Sequence, residues 1–165
     1  MEIPTVEQIE ALPMFYQSTV PAEYEDANGH LNISGYLVIH NEASWPFMAS
    51  LGMDRAYVEE SRRSIFDLEH HLRYLWEMVT GSPFRVHGRV VARNEKLLHA
   101  MFFLVDDAKG RLSNTFEFVS AHVSLESRRS EPFPSEVAAA IDRQVALSRS
   151  LDWPLPLSGA LGLKS

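Results

Sequence analysis

Between Asn32 and Gly52 apolar side chains fall on nearly every side of the chain, at Tyr36, Leu37, Ile39, Ala43, Phe47, Met48 and Leu51. That pattern predicts a helix with little polar surface, capped by Asn32 or Ser34 and stopped at Gly52, with Pro46 expected to kink or shorten it. A helix of this kind has to be wrapped by something. The wrapping is supplied downstream, where the period changes to two. Phe66, Leu68, His70 and Leu72 alternate with Asp67, Glu69, His71 and Arg73, and Phe84, Val86, Gly88, Val90 and Ala92 alternate with Arg85, His87, Arg89 and Arg93. Both are signatures of half-buried strands. Turns at Gly81-Ser82-Pro83, Asn94 to Lys96 and Asp107 to Gly110 bound two further extended segments, His99 to Asp106 and Leu112 to Leu125. Consecutive long strands with short connections predict an antiparallel meander, hence an α+β fold in which a sheet packs on the apolar helix. Met101 and Phe103 face away from Ala100 and Phe102, so the outer sheet surface is expected to be covered too, as an oligomer would cover it.

Outside that unit, Val6, Ile9, Leu12 and Phe15 recur at helical spacing behind Thr5, which predicts an N-terminal helical segment over residues 1–17. A single domain is expected over 18–150, closed by a helix from Ser135 to Ser150, with a loosely packed tail over 151–165. Met53 to Arg63 reads as a short helix or loop. The length of 165 residues agrees with one domain.

Charge narrows the function. Fifteen Lys and Arg against 22 Asp and Glu give a net charge of −7, which disfavours a nucleic-acid partner. There are no cysteines, so disulfides, thiolate metal sites and a cysteine nucleophile are excluded. The acidic N-terminus lacks the cationic start of a signal peptide and no apolar run is long enough to span a bilayer, so a cytoplasmic protein without a membrane partner is expected. His70 and His71 point to opposite faces of a strand, and no metal site is expected. Arg85, Arg89 and Arg93 share a face read as solvated, with contact to phosphates as the alternative.

The unusual stretch is Asp26-Ala27-Asn28-Gly29-His30-Leu31-Asn32, directly before the apolar helix. A carboxylate, an amide and an imidazole thus sit beside unpaired helix N–H groups that can polarise a carbonyl oxygen, while a carboxylate can attack that carbonyl or activate water. The same residues equally build an Asx-type turn, with Gly29 at positive φ and His30 packed against the chain. His40 and Glu42 on the helix are further candidates, as catalytic groups or as a hydrogen-bonded core histidine and its neighbour.

Val20 to Asn32, followed by Tyr36-Leu37, resembles the start of the hotdog-fold acyl-CoA thioesterases of the 4-hydroxybenzoyl-CoA thioesterase-like superfamily, in the subgroup with an Asp-x-Asn-Gly-His-x-Asn motif. His71-Leu72-Arg73-Tyr74-Leu75-Trp76-Glu77 with Gly81 resembles that family's second block. The resemblance implies a long antiparallel sheet around a central helix and a homodimer or homotetramer with sites at the subunit interface. It implies hydrolysis of an acyl-CoA thioester without a cofactor, CoA being part of the substrate. Asp26 would be nucleophile or general base, with Asn28 and His30 orienting water or thioester. The carbonyl would rest on amides near Ile33 and Ser34, and Tyr74 and Glu77 would line the site. Many members carry histidine at the position of Ile33. Two other readings stay open: (R)-specific enoyl-CoA hydration on the same fold, and a noncatalytic acyl-CoA binding domain.

Overall fold

Helix α2 (Ile33–Ser50) is the axis around which the rest of the chain is arranged in the computed structural model, which describes residues 2–163. Before it come α1 (Val6–Glu10), β1 (Met14–Thr19) and a 3₁₀ turn at Ala22–Tyr24; after it come α3 (Arg55–Ser61), β2 (Arg63–Tyr74), β3 (Pro83–Arg93), β4 (Leu97–Asp106), β5 (Arg111–Ser124) and α4 (Ser135–Arg149). The strands form one antiparallel sheet in the order β1-β3-β4-β5-β2. The meander is therefore β3-β4-β5, with β2 and β1 as the two edges. This is the expected α+β hotdog arrangement, a sheet wrapped on a central helix.

One face of α2, carrying Tyr36, Ile39, Ala43, Phe47 and Met48, packs with Phe84, Phe102, Phe116 and Phe118 from the sheet. Phe47 meets Phe102 edge-on at 5.2 Å, and Phe102 meets Phe118 at 4.9 Å between ring centres. Burying each such ring stabilises the fold by roughly 1.5–3 kcal/mol. Pro46 does not shorten α2. It removes the hydrogen bond to the Glu42 carbonyl, but both residues are exposed, so that carbonyl is open to solvent and the helix continues to Ser50.

Three expectations need correction. The N-terminal helix stops at Glu10, because Pro13 follows its C-cap, and Phe15 belongs to β1, where its ring lies 5.2 Å from that of Phe47. In β2 the faces switch: a bulge between Asp67 and Glu69 leaves His70 and Leu72 on the core side, but turns Phe66 and Leu68 outward, Leu68 being 56% exposed. The segment after α4 is not loose. Trp153 is 6% exposed and packs on Phe103 in a second apolar cluster with Ile9, Leu12, Met101 and Val105, joined by Leu151 and Leu155.

The outer sheet face is thus covered by the chain's own α1 and C-terminal segment. Arg89 is buried there rather than solvated, donating to the Ser148 carbonyl at the end of α4 and to the Trp153 carbonyl, with its guanidinium 4.4 Å from the Trp153 ring centre. Its positive charge also suits a helix C-terminus. Arg85 pairs with Asp107 and Glu10, and Arg93 with Asp142, so all three arginines tie outlying elements to β3.

Candidate active site

The turn before α2 is built by Asp26. Its Oδ1 accepts the Asn28 N–H at 2.8 Å and the His30 N–H at 3.1 Å, while Oδ2 takes only a long bond from Asn28 Nδ2 at 3.3 Å. Gly29 supplies the left-handed residue this tight turn requires, at φ +79°. The Asx turn is real, and it fixes the carboxylate instead of hiding it. The His30 and Asn28 amides hold the Asp26 carboxyl below its ordinary range, so the group is ionised at neutral pH.

Backbone bonds anchor this turn to its surroundings. The Leu31 N–H donates to the Met78 carbonyl and the Asn32 N–H to the Tyr24 carbonyl, each at 2.8 Å. Asn32, not Ser34, is the N-cap, its Oδ1 accepting the Gly35 N–H at 3.0 Å. Among the described residues the amides of Ile33 and Ser34 have no partner, and they are the first two of the helix. Gly35 permits this closeness: a Cβ there would lie 2.3 Å from Leu31 Cδ1 and 2.8 Å from Tyr24 Cβ.

Asp26, His30, Leu31, Asn32 and Ile33 line one wall of a groove of about 570 Å³, opposite Tyr74, Leu75, Trp76 and Glu77, with Tyr36 at its base. The structure therefore brings together five of the residues singled out in the sequence: Asp26, His30, Ile33, Tyr74 and Glu77. Asn28 and Ser34 do not line the groove; Asn28 touches it through its bonds to Asp26. Tyr36 and Tyr74 meet edge-on at 5.0 Å between ring centres, and burial raises both phenols, which stay protonated.

Arg111 went unnoticed in the sequence. Its guanidinium lies 4.7 Å from the Trp76 ring centre and donates to the Glu77 carbonyl at 3.1 Å, fixing the far rim of the groove. The Glu77 carboxyl is held low by its own backbone N–H and by Arg111.

His40 and Glu42 do not line the groove. His40 is buried, its Nε2 is 2.5 Å from Asn114 Oδ1, and its ring stacks on Phe116 at 4.6 Å. Asn114 Nδ2 donates to the Arg73 carbonyl, so its Oδ1 is the acceptor and His40 Nε2 carries the hydrogen. Burial pushes the imidazole down to about 4, so His40 is a neutral core residue. Among the described residues no group of three or more acidic or histidine side chains could hold a metal ion, and no helix is long and apolar enough to cross a membrane.

Residues 20–141 match the thioesterase-like superfamily. The chain belongs to that family. It is 32% identical over 148 residues to the betainyl-CoA thioesterase of Pseudomonas aeruginosa, covering 90% of this chain and 93% of that protein. A Rhizobium meliloti L-carnitine dehydrogenase/betainyl-CoA thioesterase is 30% identical over 135 residues, 82% of this chain but only 27% of that longer protein. Among solved structures, a Staphylococcus aureus protein in complex with CoA superposes with a TM-score of 0.80 at 26% identity, covering 93% of this chain and 97% of the other. The protein is a thioester hydrolase of the acyl-CoA class. Of the reactions left open by the sequence, this is the one the Pseudomonas and Rhizobium relatives carry in their names.

Proposed function

We propose that Asp26 performs the hydrolysis, as base for an attacking water or as nucleophile on the thioester carbonyl, in a twofold dimer of this chain. The observation that carries the assignment is an ionised carboxylate, with Oδ2 bound by a single long contact, in one groove with Ile33, the first residue of α2. On the base route, Asp26 takes a proton from water as the oxygen attacks the carbonyl carbon. Negative charge builds on the carbonyl oxygen, where the Ile33 and Ser34 amides and the positive end of α2 stabilise it. Collapse breaks the carbon–sulfur bond, and the proton held on Asp26 passes to the departing thiolate, giving the free acid and CoA and restoring the carboxylate.

Two features support the dimer. Helix α2 buries one face but exposes Ile33, Leu37, Val38 and Trp45 on the other, an apolar stripe that the chain itself does not cover. Beside it, β2 is a long edge strand with no Pro and with Leu68 turned out, an edge that a second strand can extend. A second copy satisfies both at once, because a twofold contact is self-complementary. An axis near the middle of α2 sets Ile33 against the partner's Trp45. An axis near the middle of β2 sets Ile65 against the far end of the partner's β2. The names of the relatives bring to this chain the expectation of a compact acyl group, betainyl being the first to test.

Asp26→Asn is the test, measured as CoA thiol release from a panel of acyl-CoA esters. The expected loss in kcat is about 10²–10⁴-fold. Equal turnover by both proteins removes Asp26 from the mechanism.

A further inference from the structure

The groove at Asp26 is wide open, and a smaller, more closed pocket lies elsewhere on the chain. A pocket of about 160 Å³ sits between the second half of α2, α3 and the core faces of β2 and β5, walled by Trp45, Phe47, Met48, Met53 and Phe118. A cavity of about 150 Å³ accepts a benzene-sized group. Asp67 is the one charged residue in this lining. The bulge in β2 puts it there: its Oδ1 accepts from Ser120 Oγ at 2.5 Å, and its Oδ2 lies 3.3 Å from His70 Nε2. Partial burial pushes the Asp67 carboxyl up, but the bonds from His70 and Ser120 outweigh that and hold it below its ordinary range. Arg55 stacks 5.6 Å from the Trp45 ring centre and is not part of the lining.

Aromatic rings, methionine sulfur and one ionised carboxylate together suit a weakly hydrated cation. The ring faces and the carboxylate attract its charge, while its methyl groups fill apolar space. An uncharged group of the same shape fills the space and gains nothing from Asp67.

Within one chain this pocket and Asp26 lie at opposite ends of both α2 and β2. Trp45 is at one end of the exposed helix stripe and Ile33 at the other; Ser64 and Ile65 are near one end of β2, Asp67 lies toward its middle, and Tyr74 is at the other end. A twofold axis through the middle of either element exchanges its ends. The helix and the strand therefore agree in placing this pocket beside the partner's groove.

We propose that this pocket receives the acyl head of a thioester held at the partner's Asp26, and that Asp67, with Trp45 and Phe118, selects a quaternary ammonium group. The proposal rests on the thioesterase reading and on the twofold dimer, and it adds the residues that read the charge. The test pairs betainyl-CoA with its uncharged carbon isostere, tert-butylacetyl-CoA. Wild type is expected to prefer the cationic ester, and Asp67→Asn to lower the ratio of the two kcat/KM values at least tenfold. Trp45→Leu should lower it in the same direction, and it carries the test if Asp67→Asn does not fold. An unchanged ratio in the folded variants overturns the proposal. Calorimetric titration of the two esters into the full-length protein gives a readout independent of turnover. If neither ester is hydrolysed, the thioesterase reading fails, while a preference for the cation that Asp67→Asn abolishes still supports the pocket, and equal affinity rejects it.

Discussion

Around the start of α2 the chain gathers reactive groups in an open groove; around its second half it forms a smaller, more closed pocket with apolar walls and one carboxylate already engaged. The groove at Asp26 has an ionised carboxylate, free amides and two tyrosines, and it stands open. The pocket at Trp45 has walls and a carboxylate already engaged by Ser120 and His70. The contrast teaches that the two ends of one helix present different surfaces, which the proposed dimer would join as two halves of one site. Each half uses what its position supplies. A helix N-terminus offers unpaired N–H groups, whereas a mid-helix surface facing a sheet offers only side chains.

Separating the halves is the most damaging change expected. Leu37→Lys puts a charge in the middle of the exposed helix stripe. It should yield a monomer by sedimentation and lower kcat/KM by about as much as loss of the catalytic carboxylate, about 10²–10⁴-fold. A monomer with full activity would show that the groove needs no partner.

The sealed outer face of the sheet supplies the control. Trp153→Ala should cost about 3–5 kcal/mol in denaturant unfolding. At temperatures where the variant is folded its kcat should match wild type, because Trp153 packs on the outer cluster and not on either half-site. A fall in kcat in the folded protein would link the two sheet faces.

His40, in the core between the halves, should make stability depend on pH. Its pKa is lowered from 6.5 to about 4 in the fold, so between those values the unfolded chain binds more protons. The contribution is complete above about 6.5, declines as pH falls, and levels off below about 4, a total of roughly 3 kcal/mol. Melting curves across this window test it, and His40→Gln should flatten the profile in that range.

Smallest is the expected effect of Gly35→Ala. The new Cβ meets Leu31 and Tyr24, so the turn bearing Asp26 must shift away from the helix start, at about 1–3 kcal/mol. Thiol-release assays should show kcat falling while KM changes little. A kcat equal to wild type would mean that the spacing between Asp26 and the amides is not critical.

Much of this arrangement was legible beforehand, and the failures share a cause. The apolar helix, the meander and the turn at Asp26 are local patterns, and each appears where its residues predict. The N-terminal helix was overextended because Phe15 kept helical spacing by coincidence beyond Pro13. In β2 the alternation was correct for His70 and Leu72 and inverted for Phe66 and Leu68, since one bulge reverses every side chain before it. Nothing in an alternating pattern announces a bulge. The bulge is also what turns Asp67 to the helix side of the sheet, where it stays half exposed, so the pocket carboxylate could not be read from the chain. Arg111 was missed for a similar reason: it comes from a strand start more than thirty residues beyond the Trp76 and Glu77 it fixes.

By itself, then, the order of residues determined the elements, the tight turn that holds the Asp26 carboxyl low, and the apolar character of α2 and of the outer sheet face. Tertiary structure decided what covers them. The outer face is closed by α1 and Trp153 of the same chain, while the stripe from Ile33 to Trp45 is left open. The physical reason is that periodicity measures how much of an element prefers to leave water, which is a local property of side chains. Which surface meets it depends on chain reversals and on one inserted residue in a strand, and those are settled only when distant segments pack.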